Sequence, residues 1–192
     1  MRTVPTSIAA KLPRAAELIA ERGLDQTKIE ELAEVTGIPK ATLYYYFTGK
    51  EEILVFLLRD LLTQVADAVA IGAESEGSAA ERLAVVVRAQ LEVMADQPAV
   101  WRALIADLGR AARMPELAAA LVSAYYAPLE RLLTEGAADG SLRAVEDPAA
   151  TSMAIFGAAT VAGLHHLLAG EPLDAERMAS QVIAFVLRGV SA

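Results

Sequence analysis

Cysteine is absent from the 192-residue chain, which excludes disulfide bonds and thiolate metal sites. Aromatic residues make up only 5% of the sequence, yet three of the five tyrosines stand together as Tyr44, Tyr45 and Tyr46. Strand patterns are nearly absent, whereas helix caps and helix-ending glycines recur along the chain. These features predict an all-α protein of about nine helices.

Lysine is missing after position 50, and the whole chain has a net charge of -8. Residues 1–50 contain seven Lys and Arg against six Asp and Glu, whereas the rest contains ten against nineteen. A locally basic segment in an acidic chain predicts that an anionic partner meets the N-terminal quarter. On charge alone, random fluctuation over so few residues is the alternative.

Neither a secretory signal nor a membrane anchor is expected. The N-terminal stretch has no apolar region of the kind that signal peptides carry, which favours a cytoplasmic protein. Residues 149–170 form a run of 22 residues without formal charge, long enough to cross a bilayer. Hydroxyl and histidine side chains interrupt this run and no basic cluster flanks it, so a buried helix without a membrane partner is the better interpretation.

Motifs of catalysis are absent from the sequence, which has no Gly-x-Ser-x-Gly elbow and no glycine-rich phosphate loop. Two adjacent histidines, His165 and His166, would point about 100° apart on a helix. Neither has an acidic residue or a histidine four positions on. We therefore expect no metal, no cofactor and no enzymatic activity.

Residues 28–47 have the pattern of two short helices joined by a tight turn. The tetrapeptide TKIE at 27–30 has the spacing of a capping box with Thr27 as its first residue. The helix that it starts is expected to end near Thr36, where Gly37 permits a left-handed turn. A second short helix follows from about Pro39 to Phe47. This arrangement is typical of a helix-turn-helix motif, whose second helix enters the major groove of DNA.

The second helix of this pair has one apolar side and one polar side. At 100° per residue, Tyr46 and Phe47 fall within about 60° of Leu43. The opposite side carries no acidic residue, and its members are Lys40, Ala41, Thr42, Tyr44 and Tyr45. Hydroxyl groups of Thr and Tyr can bond phosphate oxygens, and their apolar parts can contact thymine methyl groups. The pattern favours DNA binding over packing of this side onto another domain.

Residues 15–54, AAELIAERGLDQTKIEELAEVTGIPKATLYYYFTGKEEIL, resemble the DNA-binding domain of the TetR family of transcriptional regulators. The similarity lies in the AERG end of the first helix, the T-x-I-x-x-(I/L)-A run, the glycine turn and the closing T-L-Y-x-(H/Y)-F-x-x-K-E-E-(I/L). The resemblance implies a three-helix DNA-binding domain over residues 1–50. It further implies a helical ligand-binding and dimerisation domain over residues 51–192.

The resemblance also implies individual roles. Thr27 is expected to cap the second helix and to lie near the DNA backbone, Lys50 to contact a phosphate and Tyr46 to lie at the edge of the DNA-facing surface. The complete expected DNA-binding set is Thr27, Lys28, Lys40, Ala41, Thr42, Tyr44, Tyr45, Tyr46 and Lys50.

The C-terminal helices are expected to dimerise and to bind a small molecule. The uncharged helix that begins at Pro148 is rich in small residues and must be covered, so the last two helices are expected to form a four-helix interface in a homodimer. A buried central helix in a monomer is the alternative. The resemblance implies an apolar ligand pocket, and its expected lining is Met94, Trp101, Leu104, Ile105, Leu108, Leu121, Tyr125, Phe156 and His165. Each of these residues can equally be ordinary core.

Two functions from different classes follow. The first is a homodimeric repressor that binds a palindromic operator in double-stranded DNA and is released by a small apolar effector. The second is a helical ligand-binding or scaffolding module without DNA contact. An all-helical enzyme ranks behind both.

Overall fold

The computed structural model describes residues 2–106 and 119–190, and within these ranges the chain forms helices, turns and loops without a β-strand. The predicted all-α class is therefore confirmed. Contacts divide the chain into two compact units. The following paragraphs describe each unit by itself.

The first unit extends beyond residues 1–50, because it includes a helix from much later in the sequence. Its elements are α1 (Thr6–Ala9), α2 (Pro13–Arg22), α3 (Ile29–Thr36), α4 (Lys40–Tyr46), the first half of α5 (Lys50–Ala73), and α7 (Pro98–Ala106). Helix α2 contacts both α3 and α7. It buries Ala15, Ala16 and Ile19, and α7 buries Val100 and Trp101. The small alanine side chains allow the helices to approach closely.

An apolar seam joins α3 to α4. Leu32, Ile38 and Leu43 are all buried, and Gly37 between the helices has a φ of 62°, the left-handed conformation that glycine adopts without strain. The buried hydroxyl of Thr36 donates to the Leu32 carbonyl at 2.6 Å and accepts from the Ile38 N–H at 3.3 Å. The turn is therefore fixed both by packing and by hydrogen bonds.

The predicted capping box at 27–30 is wrong by one residue. Helix α3 begins at Ile29, with Lys28 as its N-cap residue, and the Glu31 carboxylate accepts from the Lys28 N–H at 2.8 Å. The Thr27 hydroxyl instead donates to the Gly23 carbonyl at 2.8 Å, at the end of α2. The buried Thr27 side chain thus bonds to the C-terminal end of α2 and does not cap the N-terminus of α3.

The second unit is built around α6 (Ala79–Asp96). Its other elements are the second half of α5, a π-helical turn at Val122–Tyr126, α8 (Ala127–Asp139), α9 (Pro148–Ala169) and α10 (Ala175–Val190). Helix α6 contacts α8, α9 and α10, and it buries a stripe that includes Leu83, Val87, Leu91 and Met94. The π-helical turn directly precedes α8, whose second residue is Pro128.

Helix α9 is long and apolar enough to cross a membrane, as the sequence suggested, but only 28% of its most apolar stretch is buried in the single chain. The expected burial of this helix is thus incomplete. Its exposed large apolar residues are Met153, Val161 and Leu168, whose spacing places them on one stripe. On α10, Phe185 is 72% exposed. These apolar faces remain uncovered within one protomer.

A close approach between α5 and α6 gives a test of this packing. A Cβ atom added at Gly72 would lie 2.9 Å from Val86 Cγ2 and 3.0 Å from the Val86 backbone nitrogen. Since backbone cannot yield as a side chain can, Gly72→Ala should lower the free energy of unfolding by about 1–3 kcal/mol in a urea titration.

Gly189 provides the matched control for this substitution, because it too is the penultimate residue of its helix. A Cβ atom there would meet no atom of the described residues of its own protomer within 4 Å. Gly189→Ala should therefore leave stability unchanged or raise it slightly. Equal stability of the two variants would contradict the described packing of α5 on α6.

Candidate nucleic-acid interface and ligand site

The outer side of α4 is the most aromatic surface of the first unit in the described residues. Tyr44 and Tyr45 are 52% and 57% exposed, and Lys40 and Ala41 are exposed beside them. Leu43 on the opposite side is buried. The two sides of α4 therefore have the orientation that helical periodicity predicts. Thr42 and Tyr46 lie half-buried at the edges.

A cross-helix ion pair lies beside this surface. The Lys40 ammonium donates a hydrogen bond to the Glu30 carboxylate of α3. This bond and the lysine charge lower the pKa of Glu30, and the carboxylate raises the pKa of Lys40. Lys40 Nζ also lies 5.8 Å from the centroid of the Tyr44 ring. The expected DNA-facing cation therefore already has an anionic partner in the free protein.

Lys50 has a structural contact that the sequence did not reveal. Its Nζ donates to the carbonyl oxygens of Asp25 and Thr27, each at 2.9 Å. The first residue of α5 thus holds the loop between α2 and α3. No local pattern signals such a bond, because donor and acceptors are separated by more than twenty residues in the chain.

An open groove lies between the α2–α3 loop and the turn from α4 to α5. Its walls include Lys28, Tyr44, Gly49 and Lys50. Lys28 is exposed, whereas the Thr27 side chain is buried behind the groove. The structure therefore brings together all the expected DNA-binding residues around α4 and this groove, with the Thr27 hydroxyl directed to the interior.

Three of the expected pocket residues lie together in the second unit, where Met94 and Tyr125 are buried and Phe156 is half-buried. The rings of Tyr125 and Phe156 meet edge to face with centroids 4.8 Å apart. The Tyr125 hydroxyl donates to the Gln90 side-chain oxygen, and Gln90 Nε2 donates to Thr160 Oγ1 at 2.8 Å. Burial raises the pKa of Tyr125. This buried polar chain was missed, although a glutamine on the apolar face of a helix could have indicated it.

Three of the other expected pocket residues, Trp101, Leu104 and Ile105, belong to the first unit. Leu121 is half-buried immediately before the π-turn, and Leu108 lies outside the described residues. Trp101 is buried on α7 in the first unit, where Leu104 and Ile105 are half-buried. Within residues 2–106 and 119–190, the Trp101 indole N–H has no hydrogen-bond partner. His165 is exposed, since it lies on the same outer side of α9 as Val161 and Leu168.

A cavity of about 370 Å³ lies in the second unit, among α5, α6, the π-turn and α8. Alanine side chains form much of its wall, and charged side chains stand among them. The lining residues are Ala66, Asp67, Ala70, Ala73, Glu74, Arg82, Ser123, Ala124, Pro128, Arg131, Leu132 and Glu135. Arg82 pairs with Glu135 at 2.7 Å and donates to the Ala73 carbonyl. The volume lies within the range of small-molecule sites.

Two family models match the chain. The model for bacterial regulatory proteins of the tetR family matches residues 12–55, which include α2, α3 and α4. The model for the tetracyclin repressor-like C-terminal domain matches residues 76–190, more than half of the chain.

Similar proteins cover nearly the whole chain. The fatty acid metabolism regulator protein of Bacillus subtilis is 24% identical over 92% of this chain and 91% of its own. The repressor KstR2 of Mycolicibacterium smegmatis is 27% identical over 94% and 88%. The structure of the regulator FadR from Bacillus subtilis in complex with stearoyl-CoA superposes with a TM-score of 0.77 at 23% identity, covering 94% of this chain and 98% of that one. The chain therefore belongs to the TetR family of bacterial regulatory proteins and is a DNA-binding transcriptional regulator.

Proposed function

We propose that this protein is a cytoplasmic homodimeric repressor that inserts α4 into the major groove of a palindromic operator and leaves it when an acyl-CoA thioester binds. The observation that carries this proposal is the exposed outer side of α4. We assign DNA binding to residues 1–50, and ligand binding and dimerisation to residues 51–192. The protein is proposed to have no enzymatic activity.

The composition of the α4 surface supports contact with DNA. Ala41 lets the helix approach base edges, and the hydroxyl groups of Thr42, Tyr44 and Tyr45 can bond phosphates or bases. Lys28 and Lys50 line the adjacent groove, where their positive charges favour a phosphate. Thr27 is proposed to support this groove from behind rather than to touch DNA, because its hydroxyl is bonded to Gly23.

The uncovered apolar side of α9 and α10 supports a homodimer. Met153, Val161, Leu168 and Phe185 are large, apolar and exposed in one protomer. A second copy related by a two-fold axis would cover the same surface on both chains and form a four-helix interface. His165, on the same side of α9, is proposed to lie at this interface instead of in the ligand pocket.

The cavity of the second unit supports an effector with an apolar part and an anionic part. Its alanine wall can accept an acyl chain, and the guanidinium groups of Arg82 and Arg131 can pair with phosphates. One relative is a fatty acid metabolism regulator, and a similar solved structure holds stearoyl-CoA. An effector releases the operator only if it binds the free regulator more tightly than the DNA-bound one.

Substitution of two lysines of the first unit should distinguish a residue that only contacts DNA from one that also stabilises the fold. On a duplex that the wild-type protein selects from a random pool, Lys40→Ala and Lys50→Ala should each weaken binding in a gel-shift titration. Only Lys50→Ala should also lower the thermal midpoint, because it removes two hydrogen bonds to the α2–α3 loop.

Lys40→Ala removes the same charge from an exposed ion pair and serves as the matched variant, with little expected change in the midpoint. Selection of no duplex by the wild-type protein would refute the repressor proposal. Equal midpoints for both variants would refute the supporting role of Lys50.

The dimer is tested by adding a charge to the uncovered apolar side. Phe185→Glu should shift the protein from twice the chain mass of 20.3 kDa to the monomer mass in sedimentation equilibrium at micromolar concentration. Ile71→Glu is the control, because Ile71 is 71% exposed, similar to Phe185, but lies on α5. A wild-type monomer, or an unchanged Phe185→Glu dimer, would contradict the proposed interface.

The effector is tested by thermal stabilisation. Stearoyl-CoA at about 100 times its Kd should raise the midpoint by roughly 5–10 °C and weaken operator binding. Arg131→Ala should bind stearoyl-CoA about tenfold more weakly, since one charge-assisted hydrogen bond to a phosphate is lost.

Arg143→Ala is the control variant, because Arg143 is exposed in the loop before α9 and does not line the cavity. Free stearate and coenzyme A should each stabilise the protein less than the thioester does. If Arg131→Ala and Arg143→Ala bind stearoyl-CoA equally well, the effector site does not lie in this cavity. If stearoyl-CoA does not stabilise the wild-type protein, it is not the effector.

A further inference from the structure

The segment before α1 lies against the outer side of α4. The guanidinium carbon of Arg2 is 4.2 Å from the centroid of the Tyr45 ring, and both side chains are exposed. The Tyr45 ring in turn meets the Tyr46 ring edge to face with centroids 4.9 Å apart. Arg2, Tyr45 and Tyr46 thus form a row, which we call the arm cluster. Helical periodicity within α4 concerns only its own side chains, so it could not indicate a contact with Arg2.

Stacking on a ring orients an arginine without occupying its donors. A guanidinium group that lies over a ring can turn its flat face to the ring, while its N–H donors point outward from its edges in the same plane. A planar group held in this way is arranged to form paired hydrogen bonds with an anion such as phosphate. The arm cluster therefore presents directed donors on the surface that α4 offers to DNA.

Two other cations beside α4 already have hydrogen-bond partners within the protein. The Lys40 ammonium is bonded to the Glu30 carboxylate, and the Lys50 ammonium is bonded to two backbone carbonyls. Both cations must share or exchange these partners in order to reach a phosphate. Arg2 lies over the neutral ring of Tyr45, and this contact does not compensate its positive charge.

We propose that Arg2 contacts the DNA backbone directly, with Tyr45 orienting its guanidinium group toward a phosphate beside the groove that α4 enters. This inference rests on the proposed DNA-binding function and adds the segment before α1 to the interface. Each protomer of a dimer would contribute one such contact. The contact would strengthen binding to all sequences alike, because phosphates carry no sequence information.

Salt-dependent binding tests this role, with the duplex selected by the wild-type protein and a tag placed only after residue 192. Arg2→Ala should weaken binding about three- to tenfold and lower the slope of log K against log salt by about 0.9 per protomer. Arg2→Lys should retain most of the slope, because a lysine still neutralises a phosphate. The thermal midpoint should not change in either variant, since Arg2 is exposed.

The role of the stack is tested in a double-mutant cycle. Arg2→Ala should cost less in a Tyr45→Leu background than in the wild-type background, because the leucine cannot orient the guanidinium group. If the losses of binding free energy in the two single variants add up in the double variant, Tyr45 does not orient Arg2. Arg143→Ala again controls for net charge, because it removes one arginine from the second unit.

The other outcomes of the binding experiment separate a failure of this inference from a failure of the proposed function. If the wild-type protein selects a duplex and Arg2→Ala binds it with unchanged affinity and slope, the inference is overturned and the repressor proposal stands. Tighter binding by Arg2→Ala would also overturn it, because the segment would then shield Tyr45 from DNA. An equal loss in Arg143→Ala would assign the effect to net charge. If the wild-type protein selects no duplex, the proposed function fails first.

Discussion

The burial of one side of α4 is the constraint on which the proposed DNA surface depends. The helix has seven residues and is too short to be stable alone, so its orientation comes from the neighbours that it packs against. Leu43 enters the seam with Leu32 and Ile38, and Gly37 allows the chain to turn sharply enough to form that seam. Once Leu43 is buried, helical geometry turns Tyr44, Tyr45 and Ala41 outward. The same apolar contacts that stabilise the first unit therefore present its aromatic surface.

Local periodicity predicted the two sides of α4, because which side chains of a helix are buried depends on residues within one or two helical turns. The N-terminus of α3 shows where local evidence becomes ambiguous. The pairs Thr27–Glu30 and Lys28–Glu31 have the same spacing, and the threonine is the better capping residue by intrinsic preference. The choice depended on the Gly23 carbonyl at the end of α2, which the Thr27 hydroxyl satisfies. The bonds from Lys50 to that loop and the packing of α7 on α2 are non-local, and no periodic pattern signals them.

The second unit shows a different limit of sequence analysis. Hydropathy predicted that α9 needs a cover, but it cannot distinguish cover by the same chain from cover by another copy. That one chain leaves the stripe with Val161 and Leu168 exposed is visible only once the helices are placed. The same placement moves His165 to the surface and brings Gln90, Tyr125 and Thr160 together inside. A pocket list drawn from apolar residues alone could not include this polar chain, whose members come from three separate segments.

The charges around α4 bear on how such a regulator would discriminate among DNA sequences. With a net charge of -8, the chain as a whole is repelled by the duplex, and Glu30 compensates the nearest lysine of the surface. Exchange of this carboxylate for a phosphate gains little free energy, because one anionic partner replaces another and the displaced carboxylate stays close by. Non-specific binding, which depends on phosphate neutralisation, should therefore be weak. A stable complex then requires additional contacts in a matching groove, which we propose that Tyr44, Thr42 and Ala41 supply. The acidic neighbour of Lys40 thus favours specificity at the expense of general affinity.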